Sequence, residues 1–182
     1  VLGGRKGDKS DDKKDDKKEE KVAAEQVEVT LSSQQIELRV GNTQLLSRLI
    51  DGKFPDYQQI IPKDVKTTIN LSTKELTTVV KRMHYFAKEI NNNLTFTISK
   101  KGVHITTPQT QSGRDEATLE SDVTGDDNKI ALSSSYILDF LNHNESDIVE
   151  MQVTDGMHPA VFRLPGNKQF LHLIMPLRIQ EE

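Results

Sequence analysis

The chain has 182 residues, 34% hydrophobic and 29% charged, with a formal net charge of −4 and no cysteine. That is enough to bury one core, and it excludes disulfides and thiolate chemistry. No apolar run reaches the length of a membrane span and no apolar signal segment opens the sequence, so a soluble cytoplasmic protein is expected.

Residues 5–21 hold 15 charged side chains, eight basic and seven acidic, and nothing apolar. Such a stretch cannot bury a face, so residues 1–26 are expected to form a solvated, disordered linker or loop. Order is predicted to begin near Val27. Residues 27–31 and 36–40 alternate apolar and polar, and 43–50 follow the turn pair Gly41-Asn42. With Ser32-Ser33 as the other turn, this reads as an antiparallel three-strand meander. Three strands with one apolar face do not stand alone and need a covering surface. Residues 51–57 break the pattern as a loop.

An internal repeat follows. Ile69-Asn-Leu-Ser72 leads into residues 73–86, and Ile130-Ala-Leu-Ser133 leads into 134–141. Both read as strand, serine cap, amphipathic helix. Ser72 and Glu75 have capping-box spacing, and Leu76, Val79, Val80 and Met83 form one apolar stripe. Ile137, Leu138 and Leu141 do the same over a shorter helix. A hairpin is predicted after each helix, 94–98 with 103–106 and 148–153 with 160–163. The reading is an α+β domain with pseudo-twofold strand–helix–hairpin repeats, its two helices packed on antiparallel sheets. Residues 170–179 read as a last strand buried on both faces or nearly so. Pro176 forces the chain to leave the sheet there or lie on its edge, which makes the apolar tail a candidate protein-docking surface.

Candidate chemistry is sparse. There is no Gly-rich phosphate loop, metal-spaced His/Cys cluster or nucleophile elbow, so no catalytic residue, metal or cofactor is expected. His104 and His172 are placed on the surface, and Asp115 and Glu116 in a solvated acidic loop. Lys74 and Lys81, seven apart with Arg82 beside them, form either a plain solvated face or a short phosphate-facing strip. Contacts of the latter kind are weak, salt-dependent and blind to sequence.

Three motifs carry a resemblance. Leu49-Ile-Asp-Gly-Lys-Phe-Pro-Asp-Tyr57 with Ile60-Ile-Pro62 resembles the junction of the middle and last domains of the bacterial sliding clamp, the beta subunit of DNA polymerase III. Ser135-Tyr-Ile-Leu-Asp139 resembles the start of the last domain's second helix, and Met175-Pro-Leu-Arg178 the family's closing motif. The resemblance implies the sliding-clamp (DNA clamp) fold. Residues 27–61 would be the second half of the middle domain and 62–182 the C-terminal domain, with 1–26 a charged linker or enlarged loop. Three such domains per protomer and two protomers per ring enclose duplex DNA in the family, so this polypeptide is not expected to encircle DNA by itself.

The same resemblance implies a partner-peptide pocket lined by Pro55, Ile60, Ser133, Tyr136, Gly156, Met157, His158, Leu173, Ile174, Met175, Pro176, Leu177 and Arg178. Gln59 stands where the family often has a basic residue. Lys74, Lys81 and Arg82 would face DNA, and Tyr85, Phe86, Asp115 and Glu116 would form the ring interface. The implied function is a non-enzymatic processivity factor. Its implied partners are duplex DNA, the polymerase III catalytic subunit, the clamp loader, other clamp-motif proteins and a second copy of the subunit, with no membrane. A stand-alone clamp-derived adaptor that binds peptides without encircling DNA is the alternative.

Overall fold

The computed structural model describes residues 26–179, so the charged segment 5–21 lies outside the described residues. The chain divides into two compact units, Val1–Phe54 and Pro55–Glu182.

In the first unit β1 (Glu28–Leu31), β2 (Gln35–Val40) and β3 (Thr43–Arg48) form the expected antiparallel meander in the order β1-β2-β3. Gly41 turns β2 into β3 at φ 54°, where a side chain is disfavoured. The register sets Val29 opposite Leu38 and Leu38 opposite Leu45, with Leu31 and Ile36 alongside, so one face is aliphatic. On the other face Glu37 accepts hydrogen bonds from Arg39 at 3.0 Å and Gln44 at 2.7 Å.

The second unit holds the repeat. Its first half runs β4 (Thr67–Ser72), α1 (Thr73–Ala87), β5 (Asn93–Ser99), β6 (Gly102–Thr106), β7 (Glu116–Leu119) and β8 (Asp122–Gly125). The second half runs β9 (Asn128–Ser133), α2 (Ser134–Asn142), β10 (Ile148–Val153), β11 (Ala160–Leu164) and β12 (Asn167–Ile174). The second helix is therefore followed by the expected hairpin and last strand, whereas the first is followed by four strands, β7 and β8 being added to the expected hairpin. The two halves exchange their first strands. Sheet order is β12-β11-β10-β4-β8 in one sheet and β7-β6-β5-β9 in the other. Ile69 of β4 faces Met151 of β10, and Phe96 of β5 faces Ile130 of β9.

Alternation then builds the core. Leu76, Val80, Met83 and Ala87 of α1 and Ile137, Phe140 and Leu141 of α2 are buried against Ile69, Leu71, Phe96, Ile130, Met151 and Phe162. Each large side chain so buried contributes about 1.5–3 kcal/mol. The helices start differently. Ser72 Oγ accepts from the Glu75 amide at 3.4 Å, as its spacing predicts. Ser133 makes no side-chain cap. Instead the Ser134 amide donates to the Asn92 carbonyl at 2.8 Å, and Ser134 Oγ meets His84 Nδ1 at 2.7 Å. A tertiary contact with α1 replaces the expected local cap.

Two expectations about the C-terminal strand need correction. β12 is an edge strand of its sheet and only its last residue, Ile174, is buried, so it is not covered on both faces. His172 is not a surface residue. It pairs in register with Phe162, which turns it toward the core, and its ring stacks on Phe140 at 5.0 Å with planes 20° apart. Burial pushes this imidazole below the usual 6.5 against the opposing pull of Asp139. Burial, and then Lys88, lower His84 as well. Protonation is thus easier in the unfolded chain, so this stability is fully present above about pH 6.5 and is lost as pH falls toward the folded pKa. Urea midpoints at about pH 7.5 and about pH 5.5 are expected to show the loss, and His172→Leu should shrink it. An unchanged drop in that variant would place the acid sensitivity elsewhere.

Candidate functional site

The tail begins where β12 ends. Pro176 has no amide to donate, and the chain leaves the five-stranded sheet as its proline predicts. It is then caught by the other sheet. The Leu177 amide donates to the Ala131 carbonyl at 2.7 Å, an isolated antiparallel bridge on the outer edge of β9. Asn93 Nδ2 donates to the Arg178 carbonyl at 3.0 Å. The tail thus occupies on β9 the position that β8 occupies on β4, reduced to a single bridge. Leu177 is half-buried, while Met175 between strand and bridge is 58% exposed.

A tight turn lies beside it. Asp155 Oδ1 accepts from the amides of Met157 at 2.8 Å and His158 at 3.0 Å, and faces His158 Nδ1 at 2.9 Å. The His158 side chain, then the Met157 amide, pull the Asp155 carboxyl down from 3.8 to about 2. This Asx turn presents Met157, 83% exposed. A Cβ on Gly156 would lie 2.9 Å from the Lys129 carbonyl oxygen and 3.5 Å from Ile179 Cδ1, so the turn backbone rests against the start of β9 and the end of the tail. Asp155 was not among the expected site residues. The Asp-Gly pair and its bond two residues on are the signal that could have found it.

The structure therefore gathers Gly156, Met157, His158 and Met175 to Arg178 around β9, whose last residue is the buried Ser133. Leu173 and Ile174 pair with Val161 and Ala160 of β11. Tyr136 stands exposed on the first turn of α2. Pro55 and Ile60 lie on the exposed lead-in to β4, where Asp56 caps a short 3₁₀ turn at Tyr57–Gln59. Among the described residues no hydrogen bond or ion pair ties Pro55 or Ile60 to the tail.

The second expected surface is rearranged. Arg82, expected with Lys74 and Lys81, turns instead to Asp115, with Nε 2.7 Å from Oδ2 and Nη2 3.2 Å from Oδ1. Two residues assigned to different surfaces thus form one bidentate pair, and Asp115 is no solvated acid. Asp115 is also fixed through its amide to Thr107 Oγ1 at 3.0 Å, so the pair anchors the loop before β7 to α1. Glu116 opens β7 and lies 3.8 Å from His104 and 3.9 Å from Arg114. Phe86 leans toward this loop, for a Cβ on Gly113 would be 3.7 Å from its Cε1.

The DNA polymerase III subunit beta sliding clamp of Bartonella birtlesii, solved bound to griselimycin, is similar with a TM-score of 0.77 and 26% identity, over 84% of this chain and 41% of that one. The fold is that of a sliding clamp. Residues 58–178 match the family described as DNA polymerase III beta subunit, C-terminal domain, and residues 15–56 match the central domain of the same subunit. The chain belongs to the DNA polymerase III beta subunit family. It is 30% identical over 157 residues to the beta sliding clamp of Bacillus subtilis and 28% identical over 158 residues to that of Synechocystis sp.. These matches cover 85% and 86% of this chain but 42% and 40% of the relatives, so the chain spans less than half their length. Among the described residues no helix is long and apolar enough to cross a membrane.

Proposed function

We propose that the chain acts within a sliding clamp of the cytoplasm, a non-catalytic processivity factor. It would tether the polymerase III catalytic subunit, the clamp loader and other clamp-motif proteins to duplex DNA. Residues 27–61 would belong to a middle domain and 62–182 to a C-terminal domain. The ring interface would run along the β7 edge beside Phe86 and Glu116. The observation that carries the reading is the tail. Its bridge to β9 leaves Met175 exposed, and the Asp155–Met157 turn, whose Gly156 rests against Ile179 of the same tail, presents Met157, so flexible apolar side chains are offered on a braced backbone. That the Bartonella relative is bound to griselimycin supports the reading of a ligand-binding surface on this fold.

The occupant would be a short, extended, apolar-ended peptide from a polymerase, seated among Tyr136, Met157 and the 173–178 tail. Burying one leucine-sized side chain is worth roughly 1.5–3 kcal/mol. Binding in about the millimolar to tens-of-micromolar range is therefore expected. Met175→Ala with Leu177→Ala should weaken it about tenfold or more and leave the fold intact, because the Leu177 bridge is made by its backbone. Titration of a labelled peptide against both proteins, with circular dichroism as control, tests this. Equal affinity would put the groove elsewhere, and loss of the fold would make the tail part of the core.

A further inference from the structure

The four methionines of the chain divide evenly between core and surface. Met83 lies in the buried stripe of α1. Met151 of β10 is set in register between Ile69 of β4 and Phe162 of β11. Both are wholly buried, whereas Met157 is 83% and Met175 58% exposed. The exposed pair belongs to the surface assigned above to a peptide, Met157 on the Asp155 turn and Met175 just before the Leu177 bridge. The backbone is pinned at both places. The Met157 amide is held by Asp155 Oδ1 at 2.8 Å, and Met175 lies between β12 and the bridge. The fold therefore keeps both side chains at the surface.

Methionine at these positions has a chemical consequence. The chain holds no cysteine and no tryptophan, so a methionine thioether is the group that a peroxide oxidises most readily. Leucine would offer similar apolar bulk without the reactive sulfur.

We infer that Met157 and Met175 are a peroxide-modification site, and that their oxidation to sulfoxide switches off peptide binding at the tail. The switch rests on the reading that this surface takes a peptide. A sulfur lone pair attacks one oxygen of hydrogen peroxide, and the O–O bond breaks. That oxygen stays on sulfur as the sulfoxide, and the other takes its proton and leaves as water. Sulfur loses two electrons and the peroxide gains two. Each sulfoxide sets a strongly polar group where binding has to strip water from an apolar side chain. Methionine sulfoxide reductases reverse the step, one enzyme for each epimer. Burial keeps peroxide from Met83 and Met151, so the surface changes character while the core does not.

The test begins with dilute hydrogen peroxide on the native chain, followed by tandem mass spectrometry of its proteolytic fragments. One added oxygen is expected at Met157 and at Met175 and none at Met83 or Met151, whereas in urea all four should gain one. Circular dichroism of the native protein should not change. After the peroxide is removed, a labelled peptide ending in leucine and free of Met and Cys should bind about tenfold or more weakly than before, and treatment with both reductases should restore it. Met157→Leu with Met175→Leu should bind equally before and after peroxide. Oxygen on Met83 or Met151 at the pace of the exposed pair overturns the site. Sulfoxide at both exposed positions with affinity unchanged, or an equal loss in the leucine variant, overturns the switch alone. Absence of binding by the untreated protein overturns the switch together with the peptide reading, and the mass spectra still decide the modification site.

Discussion

Phe162→Ala is expected to remove about 3–5 kcal/mol of unfolding free energy. Its ring is 1% exposed and lies 5.1 Å from Phe140. In register it faces Met151 on one side and His172 on the other. It is where α2 meets β10, β11 and β12, and β10 is also the partner of β4. Truncation leaves a void that none of these elements can fill alone, because each is held by its own ladder or by the other helix. A domain of typical stability, about 5–15 kcal/mol, would lose a large fraction of it. Urea unfolding followed by circular dichroism gives the number. Tyr136→Ala, at an exposed site, should stay within about 0.5 kcal/mol. A Phe162→Ala loss no larger than that control would mean the aromatic cluster does not hold α2 to the β10–β12 sheet.

Gly125→Ala is the second large effect, and its cause is backbone rather than packing. Gly125 has φ 102°, and a Cβ there would fall onto the Lys66 carbonyl oxygen. The position cannot relax easily. The next amide, Asp126, donates to that same carbonyl at 3.1 Å, and the Asp126 carbonyl accepts from Thr67 Oγ1 at 2.8 Å. Asn128 then ties Thr67 Oγ1 and the Thr154 carbonyl together, each at 3.1 Å. Strain plus displaced hydrogen bonds should cost at least about 2–3 kcal/mol. Gly41→Ala is the comparison. It also has positive φ, 54°, but no atom lies within 4 Å of its Cβ position, so about 1–2 kcal/mol is expected from conformation alone. Similar losses at both would show that the steric clash is relieved by a small backbone shift.

The helices were legible because their stripes are local. Leu76, Val80 and Met83 recur at helical spacing whatever the rest of the chain does. The 94–98 and 148–153 segments were legible because they alternate apolar and polar residues. β7 and β8 were not. Glu116-Ala-Thr-Leu119 and Asp122-Val-Thr-Gly125 offer little apolar surface, and it is pairing with β6 and β4 that makes them strands. The partial exposure of β12 was hidden for a related reason. An apolar run announces a strand but not its place in the sheet, and only the strand order makes β12 an edge. At the site, the closing Met175-Pro-Leu-Arg178 motif pointed to the tail. The Arg82–Asp115 pair spans 33 positions, and nothing in local spacing links a helix lysine–arginine pair to a distant aspartate.

The exchange of first strands also sets the order in which this domain can be made. β4 emerges early, yet its partner β10 arrives only about 80 positions later, and such distant pairings slow folding because a long loop must close first. β5 likewise waits for β9. On a ribosome, the first repeat would therefore leave the exit tunnel with edges of both its sheets unfilled, and the domain would close in one late step. Severing the chain between Gly125 and Asn128 would produce two pieces each lacking a strand that only the other holds, so they should persist as a reassociated pair and not as separate half-domains.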